Sequence, residues 1–409
     1  MNNSSQNFDS LSYHEPPTGA SAFSPKEPIT TKAALLHLGL FVLTFASVTY
    51  AGATWVGHTA NTTSLWPLLQ DGMVFAVLLL TFLGVHEFGH YFAAVYHNIR
   101  TTLPYFIPIP IFIGTMGAVI RIKEQVNNST KLFDIGIAGP LAGFVVSLVV
   151  LLYGFATLPE ADYIMNFAGH EAVKNYVAEN GSYPQQPVSE TGGNTQVIVL
   201  GNTLLYSLLA SFFDNVPPMW EMYHYPFLFA GWLGLFFTAL NLTPIGQLDG
   251  GHILYSLIGF RNHQFVARLF YMLLLIFGGV GLLLALSDLI TFDTSFPILN
   301  SAVPWAIWGV ILFAMLRKAF HGQMYWVRTA GLIILVANGL LMYYLADSAK
   351  PSGYTVWFVW GLFATFFVGV EHPPVRYEQK LDPVRTRLGW ASMAIYVLCI
   401  SPNPMYVLM

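Results

Sequence analysis

Residues 71–98, DGMVFAVLLLTFLGVHEFGHYFAAVYHN, form a long apolar segment that carries ionisable side chains in its second half. A helix needs about 20 apolar residues to cross a bilayer, and this segment is long enough. His86, Glu87 and His90 lie within it, where ionisable groups are costly and are therefore candidates for function. The segment predicts a transmembrane helix that contributes polar groups to a site inside the membrane.

The composition of the whole chain also indicates a membrane protein. Of its 409 residues, 55% are hydrophobic and only 9% are charged, whereas a soluble globular domain has about 25% charged residues. The single cysteine, Cys399, excludes a disulfide framework and a cysteine-based metal site. The net charge of −4 gives no indication of nucleic-acid binding. These values exclude a water-soluble globule and leave a polytopic membrane protein.

Apolar segments recur along the chain at residues 33–57, 71–98, 133–157, 225–258, 265–288, 303–319, 325–346, 353–370 and 388–409. They predict an all-α polytopic membrane protein with about nine transmembrane helices. The expected divisions are a disordered cytoplasmic tail over 1–32, the first three spans over 33–157, an extracytoplasmic loop over 158–224, one span over 225–260 and five additional spans over 261–409.

The basic residues predict the orientation of these spans. With the N-terminus on the cytoplasmic side, 15 of the 17 Lys and Arg residues fall on that side, and only Lys174 and Lys350 fall outside. Residues 1–32 have neither the apolar core of a signal peptide nor the arginines of a transit peptide, which favours a bacterial plasma (inner) membrane. An apolar patch over 197–213 is expected to lie on the outer surface as an amphipathic element.

The loop over 103–123 is expected to form a β-hairpin that reaches membrane depth near the site. The apolar, β-prone stretches 109–113 and 118–122 flank a turn over 114–117, so they are the expected strands. A plain cytoplasmic loop is the alternative, but the apolar content of the stretch argues against it. The prolines that exclude a helix here are Pro104, Pro108 and Pro110.

The His86-Glu87-Phe88-Gly89-His90 motif has the spacing of a metal site. Positions i and i+4 of a helix lie about 40° apart, so the two imidazoles project from one face at metal-ligand distance. Glu87 points about 100° away from His86, where it can reach water at the metal without becoming a ligand. The alternative is a pair of buried, hydrogen-bonded histidines beside an unrelated acid, which would leave Glu87 buried without a partner.

Asp249 is the second acid that falls well inside a span, and it is the candidate third ligand, because a catalytic zinc site uses three protein ligands. It lies in the stretch NLTPIGQLDGGH over 241–252. Pro244 and Gly246 should unwind residues 243–247. Both motifs then arrive near the cytoplasmic third of the bilayer, since their spans run inward from the outer side.

Together with the IAGPLAGF run over 137–144, these two motifs resemble the site-2 protease family of intramembrane zinc metalloproteases, and the resemblance covers about 71–260. The extra spans after 260 and the hairpin resemble its PDZ-less branch. The resemblance implies one zinc ion per chain, bound by His86, His90 and Asp249, with Glu87 as the catalytic base. It also implies that Asn241 stabilises the oxyanion. The implied partners are single-span membrane proteins within the lipid bilayer.

Several alternatives stay open at this stage. Asn241 could instead bind backbone groups freed by Pro244, and His252 could support Asp249 or be an ordinary interior histidine. The hairpin could hold an unwound substrate strand or only shield the site. A polytopic metal transporter and a non-catalytic, protease-like membrane scaffold are the rival functions. No function is assigned to the histidines near span ends, His37, His97, His224 and His372.

Overall fold

The structure is a computed structural model that describes residues 30–56, 65–167, 169–187, 197–290, 298–345 and 354–408. The tail predicted over 1–32 lies outside the described residues apart from its last three positions. Most of the described chain is helical, as the composition predicts. Six described helices are long and apolar enough to cross a membrane: α1 (Thr31–Val56), α2 (Leu65–Tyr96), α3 (Ser129–Ala156), α7 (Asp249–Leu289), α8 (Ile298–Ala319) and α9 (Met324–Leu345).

Three shorter helices occupy the remaining apolar segments of the C-terminal half. They are α6 (Pro226–Leu242), α10 (Thr355–Phe363), which continues as a π-helix over Ala364–Val368, and α11 (Pro383–Cys399). The span predicted over 388–409 is wrong in its second part, because the helix ends at Cys399. Pro402 and Pro404 cannot continue a helix, and the following Met405–Leu408 is a strand.

Helices α2, α3 and α6 form the centre of the fold. Phe75 of α2 stacks on Phe229 of α6 with ring centroids 5.1 Å apart, and Leu151 of α3 is fully buried beside them. Between membrane helices, association depends on close van der Waals packing rather than on transfer out of water. The packing of these large side chains therefore fixes the positions of the helices that carry both sequence motifs.

The predicted interruption of the fourth span is confirmed. Helix α6 ends at Leu242 and α7 begins at Asp249, so residues 243–248 form a non-helical loop. Gly246 adopts a left-handed conformation with φ +52°, and its backbone N–H donates to Val370 O at 2.9 Å. Helix α7 is itself broken at Gly259, which has φ 77° and ψ 169°. That break separates the predicted spans 225–258 and 265–288.

The expected hairpin is confirmed as a pair of strands, but the predicted ranges 109–113 and 118–122 and the predicted turn over 114–117 are wrong, because both strands begin earlier in the chain. Strands β1 (Tyr105–Pro108) and β2 (Thr115–Val119) pair antiparallel, and residues 109–114 form the turn, closed by the Ile109 N–H donating to Gly114 O at 3.2 Å. A proline has no N–H for a strand ladder, so Pro110 belongs in the turn. The hairpin packs on α1, where a Cβ on Gly114 would lie 2.5 Å from Val48 Cα.

The described residues of the loop over 158–224, which exclude 168 and 188–196, form several short elements that we name the cap. It contains a 3-10 turn (Ala161–Asn166), α4 (Glu171–Asn180), β3 (Val197–Leu200), α5 (Leu204–Ala210) and a second 3-10 turn (Met222–His224). Strand β4 (Met405–Leu408) completes the cap by pairing antiparallel with β3. The patch predicted as one amphipathic element over 197–213 is thus a strand followed by a helix, and the prediction missed this second sheet.

Candidate metal centre

Helix α2 places His86 and His90 side by side, as the i, i+4 spacing predicts. Both side chains are buried, and their ring centroids lie 4.8 Å apart. The two Nε2 atoms face each other at 3.1 Å. One helix face thus presents two imidazole nitrogens to a single point.

Asp249 reaches the same point from the first residue of α7. Its Oδ2 lies 3.5 Å from His86 Nε2 and 3.3 Å from His90 Nε2. A tetrahedral zinc ion with bonds of about 2.0–2.1 Å has ligand atoms separated by about 3.3 Å. The three separations in the structure match that value, so the donor set fits a zinc ion in both chemistry and spacing.

The ring of His90 is oriented for metal binding by the backbone of α3. His90 Nδ1 lies 2.7 Å from Ile135 O, to which it donates, so the Nε2 of the neutral ring carries a lone pair directed at the site. Metal-ligating histidines usually donate their second ring N–H to such an acceptor. His90 Nε2 lies 3.1 Å from His86 Nε2, so a single cation can bind between the two rings.

Glu87 is buried beside the three donors without joining them. The backbone N–H of Ile120, directly after β2, donates to its carboxylate. The hairpin therefore borders the position expected for the catalytic base. Asn241, on the last turn of α6, also lies at the site, with its Nδ2 3.3 Å from His86 Nε2, so it is near enough to contact a group bound there.

The glycines of the IAGPLAGF run explain how α3 comes so close to the two histidines. A Cβ on Gly139 would lie 2.2 Å from His90 Nε2, and one on Gly143 would lie 3.2 Å from His86 Nδ1. Only glycine at 139 leaves room for the ring of His90. The run therefore has a packing role, which is typical of small residues between membrane helices.

Comparison with known proteins agrees with this geometry. The model of peptidase family M50 matches residues 74–286, which is just over half of the chain and contains all three donor residues. The chain belongs to peptidase family M50. The resemblance to the site-2 proteases is thereby confirmed.

The M50 chain also resembles chloroplast proteins named as probable zinc metalloproteases. It is 33% identical to EGY2 of Oryza sativa subsp. indica over 192 residues, which cover 47% of this chain and 30% of the relative. Identity is 32% to EGY2 of Arabidopsis thaliana over 192 residues, with the same coverage. It is 29% to EGY1 of Arabidopsis thaliana over 195 residues, or 48% of this chain and 31% of the relative.

These alignments span about a third of the length of the curated relatives. No solved structure matches the chain. The comparisons therefore give this chain its family, and the geometry above describes its site.

Residues 368–372 of the M50 chain support the site, although no function was predicted for them. Val370 O accepts from Gly246 in the loop before Asp249, and His372 Nε2 lies 2.9 Å from His252 Nδ1. His252 therefore has a histidine partner rather than Asp249. Glu371 in turn binds the buried Arg268, with Arg268 Nη2 2.6 Å from Glu371 Oε1. The Glu371-His-Pro-Pro turn was the available signal, but its partners are over 100 residues away.

Proposed function

We propose that this chain is a zinc-dependent intramembrane metalloendopeptidase that hydrolyses peptide bonds within or beside the transmembrane segment of single-span membrane proteins. The observation that carries the proposal is the group of His86, His90 and Asp249 donor atoms, with Glu87 adjacent, inside a bundle of apolar helices. When bound, zinc would supply the Lewis acidity that activates water and polarises a carbonyl group.

The roles of the chain's own residues follow from their positions. Glu87 accepts a proton from the attacking water, whose oxygen bonds to the carbonyl carbon, and then delivers that proton to the leaving amine as the C–N bond breaks. Asn241 can donate a hydrogen bond from Nδ2 to the oxyanion that forms on the carbonyl oxygen. Its 3.3 Å separation from His86 Nε2 supports this role.

The position of the hairpin supports a substrate in extended form. Backbone N–H groups point alternately to the two sides of a strand, so Ala118 faces the same side as Ile120, whose N–H donates to Glu87. A substrate segment unwound from its helix can therefore add to this edge of β2 and pass beside the catalytic base. A hairpin that only shields the site from lipid needs no such donors near Glu87.

The proposed topology has about nine spans, with the N-terminus on the cytoplasmic side. The pairing of β3 with β4 supports it, because residues 197–200 and 405–408 must lie on one side of the membrane. The six spans proposed between them, an even number, satisfy this condition. The relatives are chloroplast proteins, so they do not support the bacterial plasma membrane. Membership of the PDZ-less branch remains part of the proposal.

The first test is cleavage of a single-span substrate by the purified chain in lipid nanodiscs. We expect product ends within or beside the transmembrane segment, loss of cleavage on chelation and its return with zinc. The Glu87→Gln variant should keep its zinc and lose cleavage by about 100-fold or more, because a positioned base contributes that much. Cleavage by Glu87→Gln at the wild-type rate would contradict the proposal.

The second test is the orientation. In a Cys399→Ser background, a cysteine at the exposed Asn180 should react with a membrane-impermeant thiol reagent on intact cells, and one at the exposed Asn127 should not. Asn180 lies in the cap, and Asn127 lies just before α3 on the hairpin side. Labelling of Asn127 alone would reverse the orientation, while labelling of both or neither would contradict the span count between them.

A further inference from the structure

Three side chains of the cap converge far from the candidate zinc site. Helix α6, about 25 Å long, separates His224 from Asn241. Glu221 Oε1 lies 2.9 Å from His170 Nδ1, and Glu221 Oε2 lies 3.2 Å from His224 Nε2. The Nε2 atoms of the two histidines are 3.3 Å apart. Ligand atoms from the three residues all lie within 4.8 Å of one another.

The acid of this cluster is buried. Only 1% of the Glu221 surface and 3% of the His224 surface is exposed. A buried carboxylate needs a compensating charge, and in the described parts of the chain its ion-pair contacts are these two histidines.

The hydrogen bonding of His224 suits a cation in this position. Its Nδ1 lies 2.7 Å from Val56 O, to which it donates, so the Nε2 of the neutral ring carries a lone pair. In the described parts of the chain that lone pair faces Glu221 Oε2 at 3.2 Å, and this buried oxygen makes no hydrogen bond of good geometry there. An imidazole nitrogen and a carboxylate oxygen directed at one point are an arrangement found in metal sites. At the other site, His90 donates to Ile135 O as His224 does to Val56 O.

We propose that His170, Glu221 and His224 bind a second divalent metal ion, for which zinc is the best match. Two imidazoles and one carboxylate are a zinc donor set, and the separations of 3.2 and 3.3 Å are those expected between zinc ligands. The metal ion can enter beside His170, because a quarter of this side chain is exposed to solvent. The backbone of His170, at the start of α4, is left-handed with φ 59°, and this conformation directs its side chain toward the cluster.

This metal would join the start of α4 to the turn over 221–224 and, through a hydrogen bond of His224, to the end of α1. His224 contacts the last carbonyl groups of α1 through Val56, His170 precedes α4, and Glu221 begins the turn that leads into α6. The role of the site is therefore structural, since a metal that binds only the folded cap stabilises it. The site is independent of the proposed peptidase activity, and its test does not require cleavage.

The test is zinc content per chain in four proteins purified in nanodiscs after exchange against free zinc. We expect two zinc ions in the wild type, one in Asp249→Asn, one in Glu221→Gln and none in the double variant. Zinc should raise the thermal midpoint of Asp249→Asn and leave that of the double variant unchanged. If Glu221→Gln retains as much zinc as the wild type, the cap site does not exist.

Two further variants exclude indirect effects. His170→Asn removes one donor from a more exposed position, and asparagine tolerates a left-handed backbone, so this variant should fold and still lose one zinc ion. Glu179→Gln removes an exposed carboxylate from the same cap and should keep both ions. Equal zinc loss in Glu179→Gln, or full zinc content in His170→Asn, would overturn the assignment. One zinc in the wild type and none in Asp249→Asn would overturn the cap site while supporting the other.

Discussion

Replacing Asp249 with alanine should remove one zinc ion per chain and lower the cleavage rate by more than about 100-fold. Two imidazoles alone hold zinc weakly, and even the loss of a group that only supports a ligand lowers affinity or activity about 10- to 100-fold. Metal analysis and cleavage of a single-span substrate measure the two effects. The fold should persist, because Asp249 lies at a helix start, where an acid contributes only about 0.3–1 kcal/mol.

Two controls make the Asp249 result specific. Asp249→Asn keeps the shape of the side chain and removes its charge, so it should lose the same zinc ion with a smaller change in thermal midpoint. Glu87→Gln should keep that zinc and lose cleavage, since Glu87 lies outside the donor group. Undiminished zinc in both Asp249 variants would remove this residue from the ligand set and leave only the two histidines.

Replacing Gly139 with alanine should be almost as damaging, although glycine carries no functional group. The added Cβ would lie 2.2 Å from His90 Nε2 and 2.5 Å from two carbons of the ring, so either His90 rotates or α3 moves away from α2. Overpacking of this kind costs about 1–3 kcal/mol of stability. We expect a lower thermal midpoint, loss of one zinc ion and a fall in cleavage of more than about 100-fold, since displacing a ligand by 1 Å is enough.

Gly309→Ala is the matched control, because it makes the same change in another apolar helix. A Cβ at Gly309, in α8, would have no atom of the described residues within 4 Å, and alanine favours a helix over glycine by about 1 kcal/mol. Zinc content and cleavage should be unchanged, and the midpoint should not fall. If Gly139→Ala behaves like Gly309→Ala, the two helices are not in the close contact that the structure shows.

The parts of the fold that the sequence predicts are those set by local spacing. Two histidines four residues apart share a helix face whatever the rest of the chain does, and Pro244 with Gly246 interrupts a helix in any context. The position of Asp249 beside them also follows, because two spans running in the same direction carry both motifs to similar depths. The first two causes are local in sequence, and the third is the common direction that the basic residues predict for the two spans.

The features that the sequence did not predict depend on distant partners. The apolar residues over 405–408 suit either a helix or a strand, and only β3, about 200 residues earlier, decides between them. The cap cluster is not predicted, because His170 and Glu221 are ordinary loop residues in isolation and His224 lies near the end of a predicted span. The misplaced first strand of the hairpin has a local cause, since Pro108 and Pro110 limit the ladder.

The bond between Gly246 and Val370 has a consequence for how the chain matures during synthesis. All candidate ligands of the helix bundle have been made by residue 249, whereas the backbone that fixes the loop before Asp249 is made about 120 residues later. Contacts between such distant residues form late in folding. A nascent chain that ends after residue 286, the limit of the family match, therefore has every candidate ligand but not this support. The order of translation would thus delay a competent site until α10 has been inserted.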